Sequence, residues 1–82
     1  MYIYVCDEDS QEPIEIPCEE DSTVLISTVN SIFAGCIGLK YRNPQNNCIR
    51  AIRLSDGKFF PPEGGWSSIV YLAAYPKGIS AV

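Results

Sequence analysis

One stretch of helical periodicity, enclosed on both sides by segments that alternate with period two, constrains this chain more than any other feature. Leu25, Val29, Ile32 and Phe33 fall at i, i+4, i+7 and i+8, an apolar stripe on a helix of about three turns. A helix with one stripe needs a surface to cover it, and alternating strands supply a sheet with one apolar face. The two can only bury each other, which makes a two-layer α+β domain. The chain has 82 residues, enough for one such unit. Residues 1–77 are expected to form it, with 78–82 a disordered tail.

Before the helix, Tyr2 to Cys6 alternates, with Ile3 and Val5 on one face and Tyr2, Tyr4 and Cys6 on the other. Residues 7–12 form a turn and Pro13 to Pro17 a second short strand. Ile14 and Ile16 are expected to face inward and Glu15 outward. The prolines limit that strand, because each lacks an N–H. Asp21, Ser22 and Thr23 offer capping oxygens for the helix start, with acids beside its positive end, and Gly35 is placed to end it.

After the helix, Leu39 and Tyr41 oppose Lys40 and Arg42 on a third strand, and residues 43–47 turn. Residues 48–54 predict a fourth strand on which Arg50 and Arg53 have opposite parity. A bulge or a strand end must separate them if they are to point the same way. A turn at 55–57 leads to the short segment 58–60, and 61–65 is an irregular loop. Residues 68–75 are the most apolar strand, which predicts a central position. A hairpin, a helix across one sheet face and further strands is the order of a ubiquitin-like β-grasp fold, here with a mixed sheet of five to six strands.

The net charge of −4 conceals a split. Residues 1–21 carry eight acids and no base, whereas residues 22–82 carry six bases and two acids. Placed on different sides of one domain, these segments make a dipole that steers an oppositely charged partner, and a second copy qualifies. The competing reading is plain solvated surface.

Several chemistries have no carriers. The chain contains no histidine, so the commonest general base is absent and no cysteine has an imidazole to activate it. Cys6, Cys18, Cys36 and Cys48 are too far apart for a Cys-x-x-Cys site, so no metal is expected, nor a cofactor or small-molecule substrate. They read as small apolar residues, partly or fully buried. Residues 35–38 have neither the length nor the lysine of a phosphate-binding loop. No run approaches a membrane span, and the acidic N-terminus does not read as a signal peptide, so a reducing compartment is the expectation. An enzyme is not expected. Single-stranded nucleic acid on the Lys40 to Arg53 face, interleaved with Tyr41, is the alternative, with Trp66 and Tyr71 as candidate stacking rings, although packing of Trp66 against the sheet is the favoured reading of that ring. The net acidity opposes it.

The strings Glu12-Pro-Ile-Glu-Ile-Pro17, Gly38-Leu-Lys-Tyr-Arg-Asn-Pro44 and Cys48-Ile-Arg-Ala-Ile-Arg-Leu54, followed by Gly65-Trp66 and Tyr75-Pro-Lys77, resemble the N-terminal domain of the TAR DNA-binding protein family. That family comprises nuclear RNA-binding splicing regulators. The resemblance covers Tyr2 to Lys77. It implies a ubiquitin-like fold, also compared with the DIX domain of axin, that associates head to tail in the nucleus to support splicing. Carried over by position, the acidic pole is Glu12, Glu15 and Glu19 with Tyr2, Ile26 and Ile32. The basic pole is Arg50 and Arg53 with Asn46, Ala51, Ile69 and Val70.

Four departures from the family pattern matter. Asn46 stands where the family has a serine whose phosphorylation weakens assembly, so that switch is expected to be absent. Ile32 replaces a glutamine and makes its patch more apolar; Ala51 replaces a glycine on the basic face. The sequence ends at Val82, ahead of the family's nuclear-import stretch and RNA-recognition domains, so a fragment and a short form that self-associates without RNA both fit the residues. The resemblance implies a nuclear protein, with shuttling to the cytoplasm. The resulting expectation is a homotypic head-to-tail oligomerisation domain. A ubiquitin-like adaptor for an unrelated partner is a third reading, without covalent conjugation, since the sequence lacks a terminal Gly-Gly.

Overall fold

The computed structural model of the chain describes residues 1–10 and 12–76. In order, the elements are β1 (Tyr2–Cys6), β2 (Ile14–Pro17), β3 (Val24–Leu25), α1 (Ile26–Ile32), β4 (Gly38–Arg42), β5 (Ile49–Ala51), β6 (Leu54–Ser55), β7 (Lys58–Phe59) and β8 (Val70–Ala74). The expected tail at 78–82 lies outside the described residues.

Five strands make one sheet in the order β2-β1-β8-β4-β5, and β3, β7 and β6 make a smaller one. β1 and β8 run parallel, with Tyr4 opposite Val70, and the other pairs are antiparallel. A parallel pair requires a crossover, and everything from β2 to the 60s loop provides it. The fold is α+β of the ubiquitin-like β-grasp type. β8 lies at the centre of the larger sheet, as its apolar sequence predicts.

One face of that sheet is the core. Ile3, Val5, Ile16, Leu39 and Tyr71 are almost completely buried, with Val24, Val29 and Phe59 from the opposing layer. Tyr71 holds the aromatic part together. Its ring meets Tyr41 edge-on at 5.5 Å and Trp66 at 5.3 Å, contacts worth about 0.5–1.5 kcal/mol each beyond their buried area. The Trp66 indole Nε1–H donates to the Ser22 carbonyl at 2.6 Å, tying the 60s loop to the turn before β3.

The helix departs from its sequence reading. It has seven residues, not three turns, because Val24 and Leu25 pair with Phe59 and Lys58 as strand β3. The capping assignment also fails: Leu25 is the N-cap, without a side-chain bond, and the first turn contains no acid. Asp21 instead closes its own turn, its Oδ1 accepting from the Thr23 N–H at 3.1 Å and the Thr23 hydroxyl at 2.5 Å. Strand pairing to β7 outcompeted a helical start, a tertiary gain that local capping signals do not register. Gly35 does end the segment, at a φ of +86° that favours glycine.

Three smaller corrections follow from edges and ends. Ile14, expected inside, is 39% exposed at the start of edge strand β2, whereas Ile16 is buried. Ile32, counted in the helical stripe, is 51% exposed at the last helical residue, while Val29 and Phe33 do the burying. Cys48 is exposed in the turn before β5, whereas Cys36 is buried and Cys6 and Cys18 are half-buried.

Candidate functional site

Residues of the two charged sets fall on opposite edges of one sheet. Glu15 lies on β2, at one edge, and Arg50 and Ala51 lie on β5, at the other. Four strand spacings separate them, on the order of 19 Å.

At the acidic edge, Glu15 is exposed opposite Tyr4, and Glu12 is exposed just before Pro13. Tyr2, 59% exposed, is paired with Pro17 on the same face as Glu15. Glu19 heads a tight loop, its N–H donating to the Thr23 carbonyl at 2.7 Å and its carbonyl accepting from the Ser22 N–H at 3.0 Å. α1 packs beside β2, which brings its two isoleucines to this side. Ile26 is half-buried against the core, and Ile32 is the more available of the two.

The alternation of bonded and non-bonded pairs shapes this edge further. Cys18 N–H donates to the Met1 carbonyl at 2.9 Å, so Glu15 and Pro17 are non-bonded pairs whose backbone points away from β1. With proline at 13 and 17, Glu15 has the sole N–H among the outward positions 13, 15 and 17. Such an edge resists addition of another strand, which leaves recognition to side chains.

At the basic edge a strand end separates the two arginines. β5 stops at Ala51, Ile52 N–H donates to the Leu39 carbonyl at 2.9 Å, and the chain crosses to β6 in the smaller sheet. Arg50 is abreast of buried Tyr41, so it lies at the core-side rim, lining a cavity of about 390 Å³ with Asn43, Gln45 and Trp66. Arg53 is joined to the smaller sheet by the Phe60 N–H, which donates to its carbonyl at 2.9 Å. Asn46 is fixed in the preceding turn, its Oδ1 accepting from the Cys48 N–H at 3.0 Å. Ile69 is half-buried, and Val70 is 40% exposed at the start of the central strand. These two are therefore set back from the β5 edge.

Among the described residues the only ion pair is Lys58 with Asp21, at 3.3 Å. Both arginines and the three glutamates of the poles thus have no opposite charge within reach. Lys58 belongs to the basic part of the sequence yet lines a cavity with Glu19, Glu20 and Asp21, a reversal that only the β3–β7 pairing produces. The Asp21 carboxyl is held down to about 2, first by the hydroxyl and N–H of Thr23 and then by Lys58.

Sequence reasoning missed Phe60 beside Arg53, but the packing of Trp66 against the sheet, which it favoured over stacking, is what the structure shows. Tyr71 is fully buried, and Trp66 and Tyr41 are 9% and 8% exposed. Lys40 and Arg42 point to the opposite face of the sheet from Tyr41 and Arg50. The signal for this lay in the strict alternation of residues 38–42.

The chain matches the family described as the N-terminal domain of TAR DNA-binding protein 43 over residues 2–75. It is also similar to the Caenorhabditis elegans protein named Tar DNA-binding protein homolog 1, with 38% identity over 69 residues. That alignment takes in 82% of this chain and 16% of the relative, so the chain spans about a sixth of the relative's length. The family is not one of enzymes. With a match over nearly its whole length and a β-grasp fold, this chain belongs to the TAR DNA-binding protein 43 N-terminal domain family.

Proposed function

We propose that the domain self-associates head to tail, the acidic edge of one copy docking on the basic edge of the next. The observation that carries this reading is that Glu15 and Arg50, neither with an ion-pair partner among the described residues, lie on the two opposite edge strands of one sheet, with Glu12 just before β2 and Arg53 just past the end of β5. A contact between two different patches leaves one of each free at the ends, so it propagates as an open chain. Exposed ion pairs contribute ~0–1 kcal/mol each, so they set register and association rate. Tyr2 and Ile32 on one side, with Ala51, Phe60 and the more distant Ile69 and Val70 on the other, supply apolar area. By resemblance, the domain would serve a nuclear nucleic-acid-binding protein engaged in splicing, with shuttling to the cytoplasm, by holding copies of it together.

The single-stranded nucleic-acid reading loses its main support, because the rings it needed are in the core. Light scattering over a concentration series discriminates. The mass should rise past that of a dimer at low salt and fall at high salt. Neutralising either pole, by Glu12→Gln with Glu15→Gln or by Arg50→Ala with Arg53→Ala, should stop growth at a dimer or below. Growth that survives either pair of changes refutes the proposal.

A further inference from the structure

The outer face of the five-stranded sheet, turned away from the helix and the smaller sheet, has its own charge order. Glu15 on β2 is abreast of Tyr4 on β1, and Tyr4 is abreast of Val70 on β8. The β4–β8 register, carried two residues beyond the Lys40–Leu72 pair, sets Arg42 next to Val70, and both line one groove of about 440 Å³ together with Leu72 and the acids Asp7 and Glu8, neither of which is within ion-pair distance of Arg42. From β2 to β4 one row across the face therefore reads acid, aromatic, aliphatic, base, and it ends on exposed Ile49 of β5, abreast of Arg42. The neighbouring row places Cys6 beside Leu72 and Lys40. Arg42 is held in orientation by its Nη1–H, which donates to the Asn47 carbonyl at 2.7 Å. Neither Arg42 nor Glu15 has an ion-pair partner among the described residues.

We infer that this face binds a second copy of itself as a closed, two-fold dimer. An axis in the contact plane, parallel to the strands and between β1 and β8, exchanges β2 with β4 and β1 with β8. It sets Glu15 over the second copy's Arg42 and Tyr4 over the second copy's Val70, each contact occurring twice. Sheets stacked in this way lie about 10 Å apart, near enough for the middle residues to interdigitate and the terminal charges to pair. An isologous contact uses one patch on both copies and closes at two. Because Glu15 and Val70 also belong to the end-to-end poles, the face dimer competes with chain growth and limits chain length.

The test uses the full chain carrying Arg50→Ala and Arg53→Ala, which removes the end-to-end contact without introducing a charge. Sedimentation equilibrium at low salt should give a monomer–dimer equilibrium that stops at two. Adding Arg42→Glu should weaken it by roughly tenfold or more, since symmetry reverses two pairs at once. Adding Glu15→Arg to that variant should restore dimerisation to within a few-fold, with circular dichroism confirming that each variant is folded. A monomer at every concentration, or no recovery on charge reversal, overturns the face dimer even if the unaltered chain grows end to end. A dimer that forms while the unaltered chain never exceeds two overturns the end-to-end reading instead.

Discussion

Trp66→Phe is the change that best separates a structural ring from a free one. The indole is 9% exposed, packs edge-on to Tyr71 and donates to the Ser22 carbonyl at 2.6 Å. Phenylalanine keeps a ring there and loses the donor. The lost hydrogen bond costs about 1 kcal/mol; Ser22 is exposed, so water can satisfy its carbonyl and the cost stays near that mean. The missing part of the indole amounts to about two buried carbon groups, or ~1.6 kcal/mol at ~0.8 each. The sum, about 2–3 kcal/mol, is a large share of the ~4–12 kcal/mol expected for a domain of this size. In urea, with a slope of ~1 kcal/mol/M, the midpoint should fall by about 2–3 M. The same titration should show Trp66 fluorescence shielded from acrylamide in the native chain and quenched after unfolding. A midpoint shift below roughly 0.5 M, or free quenching in the native state, would refute the core assignment and return Trp66 to the list of rings able to stack on a base.

Two other outcomes follow from local geometry. Gly35→Ala should destabilise by about 1–2 kcal/mol because φ is +86°, lowering the thermal midpoint by several degrees; the nearest atom, Tyr75 Cδ1 at 3.9 Å, leaves room for a methyl group, so crowding is not the cause. Asp21 has a folded pKa of about 2 against an ordinary value of 3.8, so the stability it contributes is present above about pH 4 and disappears as pH falls towards 2. Thr23→Val, which removes the hydroxyl and keeps the N–H, should reduce that pH dependence more than Lys58→Gln does, because the hydroxyl is the largest single cause; the reverse ranking in urea midpoints between pH 5 and 2 would contradict the assignment.

Much of the larger sheet was legible in the residues. The alternation of Ile3 and Val5 against Tyr2 and Tyr4, and of Leu39 and Tyr41 against Lys40 and Arg42, fixes which side chains share a face before any pairing is known. The apolarity of residues 68–75 anticipates a strand with neighbours on both sides. The smaller sheet was not legible as such. Its strands have two residues each, too short for a period to show, and β3 took the place where capping residues and an apolar stripe predicted helix. Pairing with Phe59, more than thirty residues away, decided it.

The charge split shows the same division. By itself, the sequence determined that acids crowd residues 1–21 and bases follow, because composition along a chain needs no fold. Only the tertiary structure decided that β2 and β5 are the outermost strands of one sheet, which turns a split in sequence into a split in space. It also moved Lys58 to the acidic end and put Arg50 and Arg42 on opposite faces. Strand order and register are set by which apolar faces can be buried together, a long-range requirement that no local run of residues encodes.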